Sequence, residues 1–315
     1  MLNSILVSVI IPCRNEEKFV EKCLNSIIVQ DFPKEKLEIL VVEGRSEDKT
    51  REVVERYARQ HSFIKILDNP QKITSFALNM GIKQARGETI VRMDAHAIYP
   101  KEYISKCLKY LYEYKADNVG GLWITVPGDN NFIWKAIALS LSHPFGAGNA
   151  YYRTAGTKEP RWVDTVPFGC YRKEIFKKIG FFNENLKRSQ DMEFNLRLRR
   201  TGGKILLVPD IVSYYYPKSN LRDFFLHNFE DGIWAVYPIK FVKMPLRLRH
   251  YLPLLFILLL PLSIWPYILI SFYFSTKIAF RERDVRYFFA MPVVFATRHF
   301  GYGTGSLWGL IKLLI

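Results

Sequence analysis

Apolar runs and amphipathic stretches alternate from the start of the chain, and their lengths separate strands from helices. Residues 5–11 form a continuous, β-branched apolar run of strand length, stopped by Pro12. Residues 16–30 then place Phe19, Cys23 and Ile27 at i, i+4 and i+8, on one helical face. The pattern repeats with a strand over 37–42 and a helix over 47–60. That helix turns Val53, Val54, Tyr57 and Ala58 inward and takes Ser46 as its N-cap. A strand over 63–67, a helix over 73–86 and a strand over 89–93 follow. Strands alternating with helices through short loops predict an α/β fold, a mostly parallel sheet covered by helices on both faces. Further on the pattern is less regular. It gives a strand over 162–167, a short helix over 172–179, a helix over 191–200 closed by Gly202 and Gly203, and a strand over 205–208 stopped by Pro209. An aromatic-rich helix over 221–234, carrying Phe224, Phe225, Phe229 and Trp234, leads into a basic stretch over 240–250.

Residues 251–274 then run without a charge, and a helix of that length spans about 36 Å against a hydrocarbon core of ~30 Å. Pro253, Pro261 and Pro266 interrupt the run, and both flanks are basic: Lys240, Lys243, Arg247 and Arg249 before it, Lys277, Arg281, Arg283 and Arg286 after it. One crossing leaves positive charge on one side only. A re-entrant or interfacial hairpin satisfies both flanks, as does a second crossing through 287–314, and the hairpin is the reading preferred here. The bland alternative is a buried helix of a soluble domain. The expected organisation is a catalytic domain over 1–217, amphipathic basic interfacial helices over 218–250, and a membrane-embedded or re-entrant helical segment over 251–315.

Composition sharpens this picture in three places. The 45 basic against 30 acidic residues give +15, and residues 240–315 hold ten basic against two acidic ones. Half of the excess charge thus lies beside the apolar run, which points to a membrane surface rather than to nucleic acid. An apolar content of 49% excludes disorder as the main state. Four cysteines without a Cys-x-x-Cys pair exclude a disulfide framework and a conventional zinc site. The first residues lack the positive start of a signal peptide, so the expected location is the cell membrane with the catalytic domain on its cytoplasmic side.

Open α/β sheets bind ligands beyond the carboxyl ends of their strands. No G-x-G-x-x-G and no G-x-x-x-x-G-K-[S/T] stands there, which argues against a dinucleotide enzyme and a P-loop NTPase. Instead Asp94-Ala95-His96 ends the fourth strand, an acid and a second ligand-competent side chain suited to holding Mg²⁺ or Mn²⁺ against a diphosphate. The bland reading is a strand-end turn. Asp191, in Ser189-Gln190-Asp191-Met192-Glu193, opens a helix whose dipole favours an ionised carboxylate able to act as a base. Alternatively Asp191 or Glu193 only caps it. Glu43, with the Pro12-Cys13-Arg14-Asn15-Glu16 loop, is suited to a base edge or ribose hydroxyls, or is simply a loop acid.

The order of these motifs resembles the family 2 glycosyltransferases. It is carried by Val9-Ile10-Ile11-Pro12 with Asn15-Glu16, Glu43-Gly44-Arg45-Ser46 with Asp48 and Thr50, Asn69-Pro70, Leu78-Asn79 with Gly81-Ile82, Arg86-Gly87-Glu88 and Asp94-Ala95-His96-Ala97. Within that family the chain is most similar to the succinoglycan-type exopolysaccharide enzymes. This likeness rests on Arg92-Met93-Asp94 with Tyr99-Pro100, His143-Pro144-Phe145-Gly146 with Gly148-Asn149, Asp164-Thr165-Val166-Pro167-Phe168-Gly169 and Gln190-Asp191 with Glu193-Phe194-Asn195.

The resemblance implies a GT-A fold and a metal-dependent inverting transfer from a nucleotide-diphosphate sugar, UDP favoured and GDP possible, to a lipid-linked saccharide. It implies that Pro12, Arg14, Asn15, Glu16, Glu43, Arg45, Lys72 and Asp94 line the nucleotide site and that Asp94 and His96 hold Mg²⁺ or Mn²⁺. Asp191 would be the general base, and Trp162, Asp164, Gln190, Glu193 and Trp234 would shape the acceptor pocket. The chain departs from the family at His227-Asn228-Phe229-Glu230, where relatives carry Gln-x-x-Arg. That implies a different donor, or phosphate contacts from elsewhere such as Lys72. A polyprenyl-phosphate sugar synthase is the second reading, and a basic nucleic-acid-binding protein a distant third.

Overall fold

A strand packed on both faces needs apolar side chains at nearly every position, and the first two strands have them. In the computed structural model β1 (Val7–Cys13) and β2 (Leu37–Glu43) are buried almost throughout. The structure describes residues 6–148, 150–154, 158–240 and 248–315. The expected strand start at Ile5, the motif residue Asn149 and the basic residues Lys243 and Arg247 lie outside them.

The elements follow in the order α1 (Val20–Ile28), α2 (Thr50–Gln60), β3 (Ile64–Asp68), α3 (Thr74–Gln84), β4 (Thr89–Arg92), β5 (Ala97–Ile98) and α4 (Tyr103–Glu113), with β2 between α1 and α2. Next come β6 (Asn118–Thr125), α5 (Phe132–Ser142), α6 (Pro144–Ala147), α7 (Tyr151–Thr154), β7 (Arg161–Trp162), β8 (Cys170–Arg172), α8 (Glu174–Ile179), α9 (Gln190–Arg200) and β9 (Ile205–Tyr215). Helices α10 (Leu221–Val236), α11 (Leu248–Leu258), α12 (Leu260–Glu282) and α13 (Arg286–Leu314) complete the chain. It divides into two units: Met1–Trp123 with Ala155–Tyr215, and Ile124–Thr154 with Tyr216–Ile315. The sequence pattern keeps 124–154 with the first domain, whereas these residues group with the helices after Tyr215.

In the first unit the strands lie in the order β3-β2-β1-β4-β8-β6-β9-β5, with β7 on β9. The expected parallel sheet is present in β3, β2, β1 and β4. The other half corrects the expectation: β8 joins β4 antiparallel, β6 joins β8 antiparallel, and β5 and β7 join β9 antiparallel, so the sheet is mixed. Val7, Val9 and Ile11 face one core with Val20, Leu24, Val54, Ile104 and Leu111. Ile10 points the other way, onto α3, where a Cβ on Gly81 would stand 2.6 Å from its Cγ2.

Local differences have physical causes. Ser46 is not the cap of α2, which begins at Thr50; its hydroxyl accepts from the Asn15 backbone N–H instead. The strand expected over 162–167 shrinks to Arg161–Trp162. Pro209 does not stop β9. It falls between the residues paired to β7 and those paired to β5, where a missing N–H breaks no bond to either strand.

The second unit has its own core of Ala136, Ile137, Leu141, Phe224, Ile278, Met291, Val294 and Phe295. Helices α10 and α13 meet backbone to backbone: a Cβ on Gly232 would stand 2.0 Å from the Tyr302 carbonyl oxygen, and one on Gly305 2.0 Å from that of Phe229. No single described helix is long and apolar enough to cross a membrane. Tyr251–Leu258 and Leu260–Glu282 meet that standard only together, bent by 117° at the break.

Candidate active site

The loops leaving β1 and β2 are bound to each other by backbone amides. Asn15, at φ 54°, donates its N–H to Ser46 Oγ at 2.9 Å and accepts from the Glu47 N–H with Oδ1 at 2.9 Å. Glu16 N–H reaches Thr50 Oγ1 at 2.7 Å, and Glu17 N–H reaches Asp48 Oδ2 at 3.2 Å. Burial works against the Asp48 charge, but hydrogen bonds from Thr50 and Glu17 outweigh it and hold the carboxyl below its ordinary range. Arg14 and Lys72 both pair with Glu47, at 3.3 and 3.7 Å. Pro12, half-buried, opens the first loop.

Glu43 is fully buried and closes this turn. Its two oxygens accept from the N–H groups of Arg45 (3.1 Å) and Ser46 (2.7 Å), and Arg51 reaches the same carboxylate at 3.3 Å. The structure therefore gives Glu43 a turn-holding task, with Arg45 exposed beside it at φ 52°.

At the end of β4, Arg92 grips Asp94 with two hydrogen bonds, Nε to Oδ1 at 3.0 Å and Nη2 to Oδ2 at 3.1 Å. The Asp94 backbone is fixed by the Tyr99 hydroxyl, which accepts its N–H at 2.7 Å. Burial would pull the Arg92 guanidinium down, but the charges of Asp94 and Asp191 outweigh it and keep it protonated. Its Nη1 is buried and has no hydrogen-bond partner among the described residues. His96 is held by Glu16, Nδ1 to Oε1 at 2.8 Å, with its ring edge-on to Tyr215 at 5.4 Å.

Asp191 stands half-buried in the first turn of α9, whose preceding residue, Ser189, sits at φ 60°. Gln190 is buried, with Oε1 unpartnered among the described residues. Glu193 turns inward onto Arg197 at 2.5 and 2.9 Å, and Arg197 in turn donates to the carbonyls of Ile179 and Phe181. Asp164 is half-buried in the segment before β8. Trp162 is half-exposed on β7, between the Tyr114 ring and Lys204. Trp234 belongs to the second unit, with its ring against Tyr237.

The structure thus holds Asp94 with Arg92 and His96 with Glu16 of the β1 loop, and sets Asp191 in the first turn of α9. Sequence reasoning did not single out Arg92 or Tyr99 as site residues. The available signal was a lone charge closing the apolar strand Thr89-Ile90-Val91-Arg92, two positions before an acid.

A family model for glycosyl transferase family 2 matches residues 8–180. The chain is also 30% identical to the succinoglycan biosynthesis protein ExoA of Rhizobium meliloti, over 78% of this chain and 74% of that one. The chain belongs to glycosyl transferase family 2. This glycosyltransferase is 29% identical, over 97% of both chains, to a dolichyl N-acetyl-α-D-glucosaminyl phosphate 3-β-D-2,3-diacetamido-2,3-dideoxy-β-D-glucuronosyltransferase of Methanococcus voltae. Its fold is GT-A-like. The mannosyltransferase PcManGT of Pyrobaculum calidifontis, solved with GDP-Man and Mn²⁺, superposes with a TM-score of 0.66 at 20% identity, covering 96% of this chain and 87% of that one. Staphylococcus aureus TarS 1-349 with UDP-GlcNAc gives 0.51 at 18% identity, over 98% and 92%.

The glycosyltransferase fold raises the question of a divalent cation. Among the described residues no three His, Cys, Asp or Glu side chains converge on one point. Two protein ligands suffice where diphosphate oxygens and water supply the rest, and Asp94 with His96 fits that donor set. Glu16 orients the imidazole as a carboxylate orients a metal-binding histidine. The obstacle is Arg92, which already engages both Asp94 oxygens.

Proposed function

We propose that this glycosyltransferase is a membrane-attached, metal-dependent inverting enzyme that moves a sugar from a nucleotide-diphosphate donor to a lipid-linked saccharide. The observation that carries the reading is the strand-end cluster in which Arg92 grips both oxygens of Asp94 and Glu16 holds His96. The backbone-laced loops of Asn15 and Glu43 supply a stiff rim suited to a nucleoside, with UDP favoured and GDP possible. The lipid-linked acceptor is supported by the dolichyl-linked substrate in the name of the Methanococcus voltae relative.

Attachment to a membrane is supported by the bent apolar pair and by the side chains that α11 and α12 expose, among them Leu255, Leu258, Leu262, Trp265 and Leu269. Basic residues flank that pair, which suits the anionic cytoplasmic face of the cell membrane.

In the proposed reaction Asp191 takes the proton from an acceptor hydroxyl as its oxygen bonds to the anomeric carbon. The bond from that carbon to the diphosphate oxygen breaks, and the electron pair leaves with the nucleotide. Glu16 holds the His96 ring and Tyr99 the Asp94 backbone, so these two groups are oriented before the donor arrives. A divalent cation bound by Asp94 and His96 would neutralise charge on the departing diphosphate.

The test is a thermal-shift panel of UDP, GDP, CDP and TDP, with and without Mn²⁺ or Mg²⁺, on detergent-purified protein beside Asp94→Ala. A ligand at ~100 times its dissociation constant adds about 2.7 kcal/mol of stability. A metal-dependent shift for one nucleotide, absent in Asp94→Ala, supports the reading. No shift with any of them overturns it.

A further inference from the structure

A carboxylate that is to receive a divalent cation normally keeps an oxygen available, or shares it with a neutral donor. Asp94 has a buried guanidinium on both oxygens, in the bidentate geometry that is the strongest form of this contact. The pair is secluded: the side chains of Arg92 and Asp94 are 11% and 17% exposed. Cation and guanidinium therefore compete for the same two atoms.

The other groups around the acid do not relieve this competition. Tyr99 engages only the backbone N–H and carbonyl of Asp94, Cys23 reaches only its carbonyl, and His96 is turned to Glu16. A second observation, independent of the pair, shows that Arg92 is incompletely satisfied where it stands. Its Nη1 is buried without a hydrogen-bond partner among the described residues, a costly arrangement that is relieved when an acceptor enters.

We propose that Arg92 makes cation binding conditional on the nucleotide. Without a nucleotide the guanidinium neutralises Asp94 and keeps a divalent ion out. An incoming diphosphate brings the negative charge that the ion needs and oxygens that Arg92 can take in place of one from Asp94. The ion and the nucleotide then bind as a pair, and the empty enzyme holds neither a loose metal nor an exposed acid. This rests on the reading above that a nucleotide diphosphate binds at these strand ends.

The experiment measures Mn²⁺ binding by the loss of its free-ion electron paramagnetic resonance signal, on the full chain in detergent. Wild type and Arg92→Gln are compared without nucleotide, with UDP and with GDP. Arg92→Gln is expected to bind Mn²⁺ alone roughly tenfold or more tightly than wild type, the scale on which partners of a ligand tune metal affinity. The nucleotide that binds should close most of that gap by strengthening binding to wild type. The proposal is overturned if Arg92→Gln keeps a wild-type melting temperature and nucleotide shift yet binds Mn²⁺ no more tightly. It is equally overturned if wild type binds Mn²⁺ alone as well as with nucleotide. Should Arg92→Gln fail to fold, Arg92→Lys keeps the charge but donates from a single point, and an intermediate affinity is expected. If neither protein binds any nucleotide, the donor-site reading itself falls and takes this one with it.

Discussion

The two halves of the candidate site are held by different kinds of contact. Around Asn15 and Glu43 the loops are fixed by backbone N–H groups donating to side-chain oxygens, one acceptor after another along 15–17 and 45–50. Around Asp94 and α9 secluded charge pairs do more of the holding, Arg92 on Asp94 and Arg197 on Glu193, than the more exposed cations Arg14, Lys72 and Arg51 do in the first half. Backbone amides cannot swing away, so the first half is a fixed shape. A guanidinium on a side chain can exchange partners, so the second half can change when a charged ligand enters. A site that binds the constant part of a ligand with the former and does chemistry with the latter gains rigidity where it is useful and freedom where charge must move.

The contrast can be broken by substitution, and the largest effect belongs to the charged half. Asp191→Asn should lower kcat by about 10²–10⁴-fold with nucleotide binding unchanged, the usual weight of a general base. Steady-state rates beside the thermal shift measure this, and retained activity would favour an acceptor that is already ionised, such as a polyprenyl phosphate. Next comes Glu193→Gln, which strands Arg197 against a near-buried partner at 3% side-chain exposure. It should cost about 3 kcal/mol in a denaturant titration; a loss below about 1 kcal/mol would mean that Glu193 faces solvent or ligand instead.

In the amide-bound half, Glu43→Ala leaves the N–H groups of Arg45 and Ser46 without their acceptor. A stability loss of about 2 kcal/mol is expected, with weaker nucleotide binding and a largely preserved kcat. A fall in kcat alone would dissolve the distinction between the halves.

The smallest effect concerns pH. Glu38, buried in β2, is driven up by desolvation, but hydrogen bonds from Ser8 and Arg86 outweigh this and lower its pKa. Its contribution is therefore complete above the unfolded value of about 4.3 and fades as pH falls through the lower folded value. The melting temperatures of wild type and Glu38→Gln should converge as pH drops below about 4. A constant gap would show that Glu38 acts through packing alone.

Much of the amide-bound half was legible in the sequence because its signals are local. An apolar run, a proline and the Asn15-Glu16 pair predict a strand end and a polar loop within a few residues. The charged half depends on pairings distant in sequence. That β8 lies antiparallel on β4 is decided by residues some eighty positions apart, and a three-residue strand carries too little periodicity to announce itself. Trp162 packs beside Tyr114 and Lys204, because β7 pairs with the early part of β9, and nothing in its local sequence announces those neighbours. Glu193 reads as a pocket acid or a cap until Arg197, one turn on, is seen to claim it.

The glycine contact between α10 and α13 bears on how the chain is made. The segment Ile124–Thr154 is synthesised early, yet it belongs with helices that follow Tyr216, and α10 cannot seat its backbone at Gly232 until Tyr302 has been added. At roughly 5–20 residues per second, the ribosome takes several seconds to cover that distance. Throughout that interval the apolar faces of α5 and α10 wait uncovered, while the strands up to Tyr215 are already complete. The sheet unit can therefore close while the polypeptide is still growing, whereas the helical unit must be sheltered until its last helix arrives.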